Sequence, residues 1–392
     1  MSSIREDLEH GRLTKSCLVG GSGSAINAEE KGAIKERLLQ LLKAATEGSL
    51  PHLPELTMAR WVDQVVRKLC RFDFPLNWDG LARFLLAELQ ALRARGFSEA
   101  ALGVVLVLHQ VLKEQSTKRL LSSRREFHQL GGLLLEPLGA VWALKMEHLQ
   151  RLKNGSLADD RLWRLGRHLD GSFLLLLAQG FAHLHEHPSG PQMIQMVKEQ
   201  VEFLLALLQS HSQQLIQCPF FLKNLKSVLK WWALLFHAHP LAFARANVAS
   251  VLHASVEVLR TLTGLQVPQE MRAWLEAVLR SQLLMIAHGF NTVSFRKGPQ
   301  PNHQGPALEA ANACHGQFVE FLRGHPVGDL CELACCAALR LPQDEVQEWL
   351  QDPEDQLLGP QCQTELHQAG SFCIKALGQA PLDVPMLEPG PP

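Results

Sequence analysis

The 392-residue chain contains no tyrosine. That excludes tyrosine as acid, base or nucleophile and leaves aromatic packing to phenylalanine and tryptophan. Neither sign of charge is in excess: 38 Lys and Arg stand against 39 Asp and Glu. A broad polyanion-binding surface is therefore not expected, and neither is a nucleic-acid partner. Long apolar runs are missing too. Stretches such as "FLLLLA" from Phe173 fall far short of the ~18 residues of a spanning helix, so no membrane insertion is expected. Alternating β-branched segments bounded by hairpin turns are almost absent. The nine cysteines, at 17, 70, 218, 314, 331, 335, 336, 362 and 373, are odd in number and irregularly spaced. They predict reduced thiols and an intracellular setting rather than a disulfide framework. The polar opening "MSSIREDLEHGRLTKS" does not read as a secretory signal.

What is present is leucine at helical spacing. "IKERLLQLLKAA" aligns Ile34, Leu38, Leu41 and Leu42. "MIQMVKEQVEFLLALLQ" aligns Ile194, Val197, Val201, Leu204, Leu205 and Leu208. "FLKNLKSVLKWWALLF" aligns Leu222, Leu225, Leu229, Trp232 and Phe236. Breaks at 48–56, 72–80, 154–160, 185–192, 237–242, 264–270, 296–306 and 324–329 divide the chain into roughly fourteen helices. The expected fold is all-α, a superhelical solenoid of roughly six or seven helical hairpins of the HEAT kind. It would span 28–377, between a Gly/Ser-rich leader (1–27) and a Pro-rich tail (378–392). A single hairpin cannot bury its own apolar stripe, whereas stacked hairpins can, and the result offers long surfaces for partners.

Several residues could carry chemistry. "GGSGS" at 20–24 lacks the Lys-Ser/Thr and preceding strand of a phosphate loop. His183, His185 and His187 form a compact His run, but on a helix only the four-apart pair converges, so a polar helix end is the expectation. Cys331 and Cys335 lie one turn apart, with Cys314 and His315 upstream; an apolar helix uses such thiols as small core residues. Asp159 and Asp160 lack a third carboxylate one turn later, where Trp163 and Arg164 stand, and read as a capped helix start. No metal, cofactor or catalytic residues are expected.

Four further stretches carry a resemblance. "RKLCRFDFPLNWDGLARFLLAEL" (67–89) resembles a helix–turn–helix junction of importin-β-like nuclear transport receptors, with Asp73, Pro75 and Trp78 in place. The family continues Trp-Pro-Glu-Leu, where this chain has Trp78, Asp79, Gly80 and Leu81. "TKRLLSSRREFHQLGG" (117–132) is similar to receptors of the importin-eleven type through Thr117, Lys118, Arg119, Leu120, Arg124, Phe127 and Leu130. "LLFHAHPLAF" (234–243) matches them at His239, Pro240 and Phe243. "LPQDEVQEWLQDPEDQ" (341–356) fills the family pattern with Leu341, Glu345, Trp349, Asp352, Pro353 and Glu354.

The resemblance implies a non-catalytic receptor that shuttles between nucleus and cytoplasm. It implies protein cargo, Ran GTPase in its GTP form and Phe-Gly nucleoporins as partners. Only an early portion of such receptors is matched, and the first hairpins, which carry much of the family's Ran contact, are not. A HEAT scaffold without transport activity is the alternative. The motif residues themselves read as structural. Pro342 suits a first helical turn, Asp344 and Glu345 complement its dipole, and Val346, Trp349 and Leu350 form a stripe. Asp352, before Pro353, ends the helix.

Overall fold

The computed structural model describes residues 27–46, 66–74, 78–95, 99–152, 160–211, 215, 217–263, 267, 269–338 and 365–378. They contain helices and turns and no strand, so the all-α expectation holds across the described residues. The signature around Trp349, Asp352 and Pro353, together with Pro75 and Asp159, lies outside them. The chain divides into two compact units, Met1–Gln115 and Ser116–Pro392.

In the first unit, α1 (Ala28–Thr46), α2 (Arg67–Asp73) and α3 (Asp79–Arg95) are followed by α4, which runs Glu99–Ser116. A reciprocal capping box starts α1: the Glu30 N–H donates to Asn27 Oδ1 (2.8 Å) and the Asn27 N–H to Glu30 Oε2 (3.0 Å). The apolar stripe of α1 meets α3, and Leu42 is its buried end. Helix α2 is tied to α4 by polar groups. Gln115 Nε2 donates to the Cys70 carbonyl (3.0 Å), and Arg67 reaches the buried Glu114 (3.0 Å).

The second unit is a stack of helical hairpins. Helix α5 (Leu121–Leu152) pairs with α6 (Asp160–Gln179). Helix α7 (Gly190–Ser210) pairs with α8 (Pro219–Ala238), and α9 (Val248–Thr263) with α10 (Arg272–Asn291). Helix α13 (Val327–Ala338) pairs with α14 (Glu365–Leu377). The second helices of the hairpins pack in sequence, α6 on α8, α8 on α10 and α10 on α14. That row is the core, which is why α8 buries Phe221, Leu225, Val228, Leu229, Trp232 and Phe236. Proline in the first turn helps start α7, α8 and α12, where a missing N–H breaks no helical bond.

Among the described residues, the run of paired helices is interrupted after α10. The short α11 (Val293–Lys297) and α12 (Pro306–Gly324) follow. Helix α12 lies across the turns that link successive hairpins. It packs on α11, on the 3-10 turn Pro240–Ala244, on the 3-10 turn Leu184–Glu186 and on α9. No helix among the described residues is long and apolar enough to cross a membrane.

Candidate functional site

Two regions gather most of the residues singled out by sequence. One is the edge of the stack where α12 crosses the inter-hairpin turns; the other is the start of α5.

The edge is built on buried rings. Trp232 and Phe236 of α8 both face Phe243 of the following turn, at 4.7 and 4.8 Å between centroids. Phe236 meets Phe295 of α11 (5.7 Å), and Phe295 meets Phe318 of α12 (5.9 Å). Phe243, Phe295 and Phe318 are essentially inaccessible. The "HAHPLAF" match thus marks a packing junction. Pro240 begins the 3-10 turn and Phe243 inserts.

His239 is 6 % exposed and hydrogen-bonds the Ala178 carbonyl through its ring. Burial lowers it to about 4, against the raising effect of that bond, with His185, His183 and His128 adding smaller lowering effects.

Polar groups from α12 satisfy turn backbone that the hairpins leave open. Gln317 Nε2 donates to the Ala244 carbonyl (2.8 Å), and its Oε1 accepts the Val248 N–H (2.9 Å). Asn247 precedes α9 with φ of 65°, a left-handed conformation that asparagine tolerates. Its side-chain oxygen accepts the Ser250 N–H (3.3 Å). His315 Nδ1 lies 2.6 Å from the Phe295 carbonyl, and His253 Nδ1 lies 2.8 Å from His325 Nε2. Burial, then His253, lowers His325.

The histidine run is not α-helical. Helix α6 stops at Gln179, so His183 and His187 lie in a turn and do not share a helix face. The His183 ring packs edge-on against His185 (5.8 Å) and His187 against Phe181 (5.2 Å). No group of three His, Cys, Asp or Glu side chains among the described residues is arranged to hold a metal. Cys314 is buried in α12 and Cys373 in α14, and burial raises both thiols to about 12. Cys331 and Cys335 of α13 are half-buried and reinforce the shift at Cys373. Thiols so protonated are poor nucleophiles and poor metal ligands.

The remaining motif residues divide by exposure. Asp73 is the last residue of α2, and Trp78, just before α3, is 4 % exposed. Lys118 and Arg119 lie in the link between α4 and α5. Arg124 is in the first turn of α5, which carries no acidic residue, and Phe127 is fully buried.

Two features were not anticipated from sequence. Lys145 of α5 and Asp170 of α6 form an ion pair with side chains 0 % and 1 % exposed, and Trp142 Nε1 donates to the same carboxylate oxygen (2.8 Å). Burial pulls Lys145 downward more strongly than Asp170 raises it. The only signal was a lone charge within each of two apolar runs, "VWALKM" and "LDGSFLLLLA". The second is a cleft of about 580 Å³ lined by His237, Pro240, His288, Asn291, Thr292, Phe372, Lys375 and Ala376. His237 and His288 stack there at 4.1 Å, and burial, with His237 adding to it, lowers His288 to about 4.

No family model matches the chain. It is 26% identical over 151 residues to the importin beta-like protein kap113 of Schizosaccharomyces pombe, which takes in 37% of this chain and 15% of that protein. The structure of Lph2, described as a novel bidirectional nuclear transport receptor in S. cerevisiae, matches it with a TM-score of 0.69 at 16% identity. That match covers 92% of this chain and 34% of the Lph2 chain. The chain therefore spans about a seventh of one relative and about a third of the other.

Proposed function

We propose that this chain, importin-β-like in sequence over part of its length and in fold over most of it, acts as the binding segment of a nuclear transport receptor of the importin-eleven type. The observation that carries the reading is the pairing of a sequence match to an importin beta-like protein with a fold match to a transport receptor. The work is binding rather than catalysis. Protein cargo and Ran in its GTP form would use the helical surfaces, and Phe-Gly nucleoporins would dock in apolar slots between helices. Such a receptor passes between nucleus and cytoplasm. Immobilised full chain should retain Ran loaded with a non-hydrolysable GTP analogue and not Ran-GDP. Equal retention of both states would remove the Ran-controlled transport reading. A transport-free HEAT scaffold is the second reading, favoured by the near-neutral net charge of −1. It predicts stable protein partners whose capture ignores the nucleotide on Ran.

A further inference from the structure

The three most exposed large apolar residues among those described lie just before α5 and along its first half. Leu120 is 73 %, Leu121 79 % and Leu133 61 % exposed, while the next, Val293, is 43 %. Leu121, Arg125, Gln129 and Leu133 recur every four residues along the open face of α5, which puts Leu121 and Leu133 about 18 Å apart at 1.5 Å per residue. Four cations flank the first two leucines: Lys118, Arg119, Arg124 and Arg125. Arg119, Arg124 and Arg125 form no ion pair among the described residues. Farther along, Pro137 has no N–H for the Leu133 carbonyl, so that acceptor lacks its helical partner on the same stretch. Half-buried Glu126 follows Arg125, and exposed Glu136 lies beyond Leu133, so the cationic character is confined to the start of α5.

We propose that this face of α5 is a docking strip for an acidic amphipathic helix of a protein partner. Leu121 and Leu133 stand on one i, i+4 ridge of α5, which winds about 120° around the helix over twelve residues, so a partner helix that meets both crosses α5 at an angle. The unpaired guanidinium groups of Arg119, Arg124 and Arg125 supply charge for the partner's carboxylates at one end only. Glu136 at the other end opposes a continuous anionic surface, which favours a protein segment over a membrane or a polyanion. The strip does not depend on the transport reading, since its partner is defined by charge and helical spacing alone.

The test uses the full chain and a fluorescein-labelled 18-residue helical peptide with leucine on one face and glutamate on the other. Fluorescence anisotropy should show saturable binding that weakens with salt. Arg119→Glu with Arg125→Glu should weaken it by at least about tenfold, and Leu121→Gln with Leu133→Gln by at least about fivefold. Both variants change exposed side chains, and an unaltered far-ultraviolet circular dichroism spectrum confirms that they fold. Equal binding of a scrambled peptide, or of either variant, overturns the proposal. So does binding to phosphatidylserine vesicles or polyuridylate in preference to the peptide. Dimerisation that the leucine substitutions abolish would reassign the strip to a second copy of this chain, and also overturns it.

Discussion

Replacing Lys145 with methionine keeps the apolar stem and removes the ammonium that faces Asp170. The carboxylate then has the Trp142 N–H but no countercharge, in a site where its side chain is 1 % exposed. A second carboxylate oxygen, Oδ2, already lacks a hydrogen-bond partner among the described residues. Breaking a buried pair from one side costs about 3–5 kcal/mol, because the surviving charge remains in a poorly solvating interior. Removing both charges is a different perturbation. Lys145→Met with Asp170→Leu restores an apolar interior, and such replacements are often neutral or stabilise by about 1–4 kcal/mol. The orphaned Trp142 N–H offsets this by about 1–3 kcal/mol. The double variant should therefore lie within about 2 kcal/mol of the parent, with a coupling energy above about 3 kcal/mol. Urea denaturation followed by tryptophan fluorescence reads all four corners of the cycle.

Asp170→Leu alone adds a test of sign. It removes the group that raises Lys145, leaving burial to lower it further below its ordinary 10.5. The unfolded chain then holds more protons than the folded chain across the interval between the two values. Stability therefore rises with pH there, and the variant should be less impaired at pH 9 than at pH 7. A loss under 1 kcal/mol for Lys145→Met, or a coupling energy near zero, would refute the reasoning.

Three other outcomes follow from the edge and the hairpin contacts. His239, His168 and His288 are lowered from 6.5 to about 4, mainly by burial, so the unfolded chain takes up protons first as pH falls. Stability should hold above pH 6.5 and decline towards pH 4. His239, 6 % exposed, would account for about 3 kcal/mol at 1.36 kcal/mol per pH unit, and His239→Gln should flatten the thermal-melt profile. Phe318→Ala empties a site bordered by Phe290, Phe295 and Phe321 and should destabilise by about 3–5 kcal/mol in chemical denaturation. At Gly131 a methyl group would collide with the Gly180 carbonyl, where α5 meets the end of α6. Gly131→Ala should lower stability by about 1–3 kcal/mol, whereas Gly132→Ala, which meets nothing, should be neutral or stabilising.

Helical content was legible because apolar periodicity is local. Leu225, Leu229, Trp232 and Phe236 announce one face of α8 without reference to any other element. Trp78, Phe127 and Phe243, carried by the resemblance, are core residues. What depends on distant partners was not legible. Nothing near Lys145 signals Asp170, 25 residues on, and nothing in "PALEAANACHGQFVEFLRG" says that this helix leaves the repeat to lie across turns. The polar helix end expected at His183, His185 and His187 is instead a 3-10 turn, because α6 has already ended at Gln179. The exposed leucines at 120, 121 and 133 look like core residues in sequence, since leucine at turn spacing reads alike on either side of a helix.

Helix α12 also bears on how the stack deforms. Hairpin stacks behave as springs, storing elastic energy as small rotations between neighbouring repeats. Through Gln317, His315 and Phe318, α12 is fastened to α9, to α11 and to the turn after α8. Rotation between those hairpins must shear close-packed rings and break hydrogen bonds held by the crossing helix. The repeats it spans are a stiff length within the spring, and compliance in this unit is displaced to the hairpins that α12 does not reach.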